Sequence, residues 1–156
     1  MTPQRLDIFA DYSQFYLSDP EHVEDWSALW NDQSMADQLI AMTTTVVFGT
    51  NRNFTVPVDL YRHDTRTDVD DLAAAADHAV LASIVCRSGK LKLAGCKDYL
   101  PDAHGFHAVP GAYGVFYAGH KLATVNGLDG EDRYDVHLWP VSDTIPMRVL
   151  RRHPPR

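Results

Sequence analysis

In residues 6–19, LDIFADYSQFYLSD, the apolar positions are even at first (Leu6, Ile8, Ala10, Tyr12) and then odd (Phe15, Leu17). Alternation of this kind marks a half-buried strand. A change of parity inside one run needs an extra residue, absorbed by a bulge or by a strand that bends from one sheet into another. That residue falls among Tyr12, Ser13 and Gln14, so residues 5–18 read as a first strand whose two halves face one core. Further on, Phe54, Val56, Val58 and Leu60 alternate with Thr55, Pro57, Asp59 and Tyr61. This is a strand that Pro57 places at a sheet edge or a bulge, since proline cannot donate to a ladder. LIAMTTTVVFGT has strand composition. Val80, Ala82, Ile84 and Cys86 share a face, and Ser88-Gly89 reads as a two-residue hairpin turn that sets Arg87 opposite Lys90. AYGVFYAGHKLATV and YDVHLWPVS add the last strands, with DYLPDAHGFHAVPG a long loop before them. Helical spacing is brief. Trp26, Leu29 and Trp30 predict one or two turns laid on the body, and the alanines of DLAAAADHA predict another turn.

This pattern predicts an all-β fold: a two-sheet antiparallel β-sandwich of about seven to nine strands with one or two short helices. Residues 1–147 form the sandwich, and 148–156 a basic C-terminal tail. There is no βαβ unit and no glycine-rich phosphate loop, so no cofactor is expected. At 156 residues and 45% hydrophobic, the chain suits one domain with a core of its own. No apolar run approaches the length of a membrane span, and the N-terminus lacks the apolar segment of a signal peptide. A cytoplasmic location is expected. Cys86 and Cys96 are too few for a disulfide framework and read as reduced thiols, Cys86 in the core.

Charge sharpens the picture. The net charge is −7, and residues 1–40 hold eight acids against one base, Arg5, so that segment alone carries −7. Arg148, Arg151, Arg152 and Arg156 close the chain. An acidic domain repels phosphate backbones, which argues against direct nucleic-acid binding and for a basic protein partner.

The run ADYSQFYL, with Tyr12, Gln14 and Phe15, resembles the opening of the competence protein J family, whose members include a DNA-entry nuclease inhibitor. The Asp25-Trp26 pair, the VVFGTNRNFTVPVDLYR stretch and the later VPGAYGVFYAG are similar to that family too. The resemblance is clearest over residues 5–63. The chain departs from the family pattern in its His-bearing loop 104–107 and its arginine tail. The resemblance implies a small β-sandwich that binds a protein, with no catalytic residues to carry over.

Motifs for chemistry are sparse. No G-x-S-x-G nucleophile elbow occurs, and Cys86 has no local partner to activate it. LDGEDRYD lacks calcium-loop spacing. His104, His107, His120 and His137 cluster late in the chain. Ligands at 104 and 107 with His120 from a strand would make a metal site if they met, though two of them lack helical zinc spacing. The aromatics are more informative. Trp and Tyr beside carboxylates make hot spots for a basic partner. Tyr16 and Trp139, with Asp19, Glu21, Glu24 and Asp25, are the candidate partner-binding residues. The expected function is a non-enzymatic, acidic protein-binding domain of the nuclease- or toxin-inhibitor kind. The alternative is a metal- or small-ligand-binding sandwich using His104, His107 and His120.

Overall fold

A computed structural model describes residues 2–154; Arg156 of the basic tail lies outside them. The parity switch has a direct structural cause. Residues Gln4–Phe9 form β1 and Gln14–Ser18 form β2, and the two belong to different sheets. Between them Asp11–Ser13 makes one 3-10 turn in which Tyr12 and Ser13 both sit at φ 57°. The turn uses up the extra residue, so Ile8 and Phe15 both point into the core. Two hydrogen bonds tie this corner to the following loop: Ala10 N–H donates to the Phe54 carbonyl (2.9 Å) and Thr50 N–H to the Ser13 carbonyl (2.8 Å).

The remaining elements are α1 (Asp32–Asp37), β3 (Leu39–Ala41), β4 (Thr45–Gly49), β5 (Thr55–Arg62), α2 (Val69–Ala74), β6 (His78–Cys86), β7 (Lys90–Gly95), β8 (His104–His107), β9 (Gly111–His120), β10 (Arg133–Val141) and β11 (Arg148–Arg151). One sheet has the order β1-β5-β10-β9-β6-β11 and the other β3-β4-β2-β7-β8. All pairings are antiparallel except β5 with β10. The strands beyond the expected seven to nine are short ones. LIAMTTTVVFGT divides into β3 and β4, the histidine loop contains β8, and the start of the basic tail, Arg148–Arg151, is the edge strand β11.

Three local expectations are corrected. Ser88-Gly89 does not close a hairpin: β6 pairs with β9 and β11, and β7 with β2 and β8, so the turn passes between sheets. Pro57 lies neither at an edge nor at a bulge. Its pairing with Asp7 is in regular register, and the parallel ladder to β10 begins one residue later, at Val58, so Pro57 stands beside β1 only. Residues 24–30 are not helical. One turn, with the Leu29 amide on the Trp26 carbonyl, is enough to put Trp26 and Trp30 side by side, and the helix starts after them. There Asn31 and Ser34 form a capping box that fixes the N-terminus of α1.

The core between the sheets is centred on Phe15, Phe48, Tyr117 and Tyr134, with ring centroids 4.7–6.5 Å apart. Both buried phenols are satisfied, Tyr117 donating to the Gly49 carbonyl and Tyr134 to Asp132 (2.6 Å). Each sheet is also covered on its outer side. The short α2 roofs Ala79, Phe116, Ala118 and Trp139, while Trp26 and Trp30 roof Tyr16, Val47 and Ala94. Cys86 is buried and Cys96 exposed, both as free thiols. Among the described residues no helix is long and apolar enough to cross a membrane.

Candidate protein-binding surface

The two roofs decide the fate of the expected interface. Tyr16 does lie on an outer face, but it is 7% exposed, packed beneath a tilted Trp26 with ring centroids 4.9 Å apart. Trp139 is 4% exposed. It stands opposite Gly114 on β9, where an added Cβ would come within 2.3 Å of the indole, so the missing side chain is the floor on which the ring lies. Asp19 is fully buried. Its carboxylate accepts the amides of Arg87 and Ser88 (2.8 Å each) and of Glu21 (3.0 Å). Burial alone would raise this carboxyl, but the donors from Ser88, Arg87 and Glu21 outweigh it and hold the pKa at about 2. Glu24 accepts the Thr44 hydroxyl (2.8 Å) and amide. Of the six candidates, Glu21 and Asp25 remain on the open surface.

The histidine candidates are not brought together. His104 and His107 lie on β8, at the edge of the five-stranded sheet. His120 ends β9 in the other sheet and bonds Asp135 (2.7 Å). Among the described residues no group of three or more His, Cys, Asp or Glu is placed to hold a metal ion. The metal reading therefore loses its ligand set, because the topology divides it between sheets.

A different polar group does assemble, on the outer face of the six-stranded sheet. His137 on β10 stacks on Tyr61 of β5 at 4.1 Å and shares a 2.9 Å hydrogen bond with His63. One residue pair away, Asp59 and Asp135 are register neighbours, Asp59 held by the Arg5 guanidinium and Asp135 by His120. Burial pushes His137 down to about 4, with Asp135 opposing. Asp59, Asp135 and His137 are each no more than 9% exposed. Asp59, Asp135 and His137 make it a buried polar seam, while His63 at its end lines an open cavity of about 340 Å³ with Phe106, His107 and Tyr113.

The open surface gathers instead at the β1–β2 corner. Phe9, Tyr12, Met35, Phe54 and Leu128 are all exposed there, Tyr12 by 79% and Met35 by 64%. Phe9 and Phe54 meet edge to face. Tyr12 N–H donates to the Asn53 side chain (2.9 Å), and the Leu128 carbonyl accepts from Arg52 (3.2 Å). An open groove of about 730 Å³ runs from Tyr12 past Gln14, Trp30, Asp32 and Met35 to Gln38. Gln14 organises its wall by accepting both indole N–H groups, Trp26 at 3.2 Å and Trp30 at 2.6 Å. Three of the four non-glycine residues with positive φ among the described ones line this groove: Tyr12, Ser13 and Gln38. Each costs on the order of 1 kcal/mol, and such strain concentrates where a protein holds side chains for use. Asp11 flanks the corner, 3.9 Å from Lys97, and Asp32 lies in the groove. Sequence reading counted Tyr12 as an inward strand position. The sign that it is not was the parity switch itself, because the residue that absorbs the switch cannot also face the core.

No family model matches the chain, and no curated protein matches it in sequence. Two solved structures are similar in fold. One is ComJ from Bacillus subtilis, an inhibitor of the DNA-degrading activity of NucA, with a TM-score of 0.66 and 15% identity over 90% of this chain and 96% of that one. The other is described as crocagin biosynthetic gene J, with a TM-score of 0.52 and 15% identity over 89% of this chain and 96% of that one. The fold implied by the resemblance over residues 5–63 is thus met across nearly the whole chain: this protein shares its two-sheet architecture with ComJ.

Proposed function

We propose that the chain is a non-enzymatic binding domain that recognises a basic protein of the nuclease or toxin kind and blocks it through the corner surface. The observation that carries this is Tyr12, a large amphipathic side chain held in a left-handed backbone conformation, almost fully exposed, with acids beside it. Exposed aromatics on a pre-set backbone lose little entropy on binding and supply most of the energy in interfaces of this type. The net charge of −7 adds long-range attraction for a basic partner. The fold shared with ComJ supports the same reading.

The test is inhibition of a basic DNA-degrading nuclease from this chain's own organism. Inhibition should weaken as salt rises, since the attraction is screened within about 10 Å at 0.1 M. Tyr12→Ala should raise the inhibition constant by about 30-fold, the size of a hot-spot truncation. Absence of inhibition at low salt, or full inhibition by the Tyr12→Ala variant, overturns the proposal.

A further inference from the structure

The core has a second opening, at the end of the sandwich away from the corner. β5 begins beside the corner, next to the Phe54 carbonyl that accepts the Ala10 amide, and runs eight residues to Arg62, about 25 Å away. There residues of β5, β9 and β10 from one sheet and of β8 from the other line an open cavity of about 340 Å³. Its floor is the rim of the core: Leu138 is buried, and Phe106 and Tyr113 pack against the same cluster. Its walls are secured without a ligand. The Tyr113 hydroxyl donates to the Val109 carbonyl (2.6 Å), the Ala108 amide to the Gly89 carbonyl (2.9 Å) and the His63 amide to the Leu138 carbonyl (2.8 Å). A site formed in advance takes up a small molecule without first ordering its own walls.

The polar groups of the cavity select its ligand. In a chain of net charge −7 it is lined by Arg62, His63 and His107 against one acid, the exposed Asp64. Arg62 sits over the Phe106 ring, 4.8 Å from its centroid, and among the described residues no carboxylate pairs with it. A guanidinium held by a ring can still present its N–H fork to an oxyanion. His63 is fixed from behind. Its Nε2 shares a hydrogen bond with His137 Nδ1 (2.9 Å) and the two rings are 7° from parallel, so of its ring nitrogens Nδ1 is left for a ligand. The volume lies at the small end of the roughly 300–1,000 Å³ of small-molecule sites, which suits one ring with a short arm. A flat ring also gains from Phe106 and Tyr113 beyond the area it buries. We propose that the cavity binds a small aromatic carboxylate, its ring on Phe106, Tyr113 and Leu138 and its carboxylate on Arg62, with the His63 and His107 imidazoles as further donors. This site shares no residue with the corner groove, so it stands whether or not that surface binds a protein.

The experiment titrates the full chain with phenylacetate by calorimetry and maps the contact by amide chemical-shift changes. Binding with a Kd of about 1 mM or below is expected for a ligand of this size. The shifts should gather at Arg62, His63, Phe106, His107 and Tyr113. Phenylacetamide has the same shape without the charge and should bind about tenfold more weakly, because charge-assisted hydrogen bonds are the stronger kind. Arg62→Gln should erase that difference, weakening the acid about tenfold and leaving the amide as it was. Phe106→Ala should weaken both. Arg62 is exposed, so its variant keeps the fold; if Phe106→Ala does not, Arg62→Gln and the shift map of the unsubstituted chain decide the matter. No binding at about 10 mM phenylacetate, shifts that gather elsewhere, equal affinity for acid and amide, or an unaffected Arg62→Gln overturns the proposal. Acetate or inorganic phosphate binding as tightly as phenylacetate would leave the apolar floor without a use and also overturns it. The same chemistry occurs at the end of a peptide whose last residue is aromatic. The tripeptide Gly-Gly-Phe with a free carboxylate separates the two sources: tighter binding than phenylacetate puts a peptide end in the cavity, weaker binding a free acid.

Discussion

A single position shows how stability and use part company in this molecule. Tyr12 has a φ of 57° and a side chain 79% exposed, so it carries backbone strain with no burial in return. Glycine relieves the left-handed conformation, partly offset by its greater freedom in the unfolded chain. Tyr12→Gly should therefore leave stability unchanged or raise it by up to about 1 kcal/mol, measured by urea denaturation, while weakening inhibition by about the 30-fold expected of Tyr12→Ala. A fall in stability would mean that the tyrosine serves the fold. Gly114 is the opposite case. Its substitution by Ala drives a methyl into the Trp139 indole and should cost about 1–3 kcal/mol, with no effect on the corner surface. Strand alternation correctly set Tyr16 and Trp139 on outward faces. What alternation cannot reveal is whether an outward face is wet. The covers over these two come from residues 26–30 and from α2, which lie elsewhere in the chain.

Among the elements, the turn after β6 separates what local pattern reveals from what it hides. Ser88-Gly89 has hairpin chemistry, and Gly89 does take a positive φ of 87°. That chemistry fixes a reversal of the chain but not whether the returning strand rejoins its own sheet. Here the decision is made by Asp19, 68 residues away from Arg87, whose carboxylate receives both turn amides and steers β7 alongside β2. The acid was legible as a charge, and its burial was not. Asp19→Asn keeps the size but swaps one acceptor oxygen for a donor that faces amides. The loss should be about 1–3 kcal/mol, as for a buried group left unpaired, seen as a lower urea midpoint. An acid kept for partner recognition would instead lose inhibition at constant stability. The corner between β1 and β2, by contrast, was readable from a short window, because both halves of the strand carry their own alternation on either side of three residues.

At the scale of the whole molecule, the buried histidines set its response to acid. His137 is pushed down to about 4, first by burial and further by His63 and His120, with Asp135 opposing. Burial also lowers His63, and lowers His78 against the pull of the Asp37 carbonyl bond. Each imidazole thus stays neutral in the folded chain at pH values where it is charged in the unfolded one. Their contribution is complete above the ordinary value of 6.5 and is lost as the pH falls from there toward 4. Asp19 stays ionised across that window, because its pKa of about 2 lies below it. Across the window His137 alone accounts for up to about 3 kcal/mol. The melting temperature should therefore fall steadily between pH 7 and pH 5. In His137→Phe, which keeps a ring against Tyr61 but cannot titrate, the fall should be shallower by the share of one proton. An unchanged slope would mean that His137 does not titrate in this range, and that the polar seam on the outer face of the six-stranded sheet is held together by something other than a neutral imidazole. The tail adds a second readout. His78 can accept the His153 amide only while its Nδ1 is unprotonated, since its Nε2 already bonds the Asp37 carbonyl. Acid should loosen residues 152–154 before the sandwich itself opens, seen as a loss of protection of the His153 amide against hydrogen exchange as the pH falls. Protection that persists down to the onset of unfolding would show that His78 does not hold the tail.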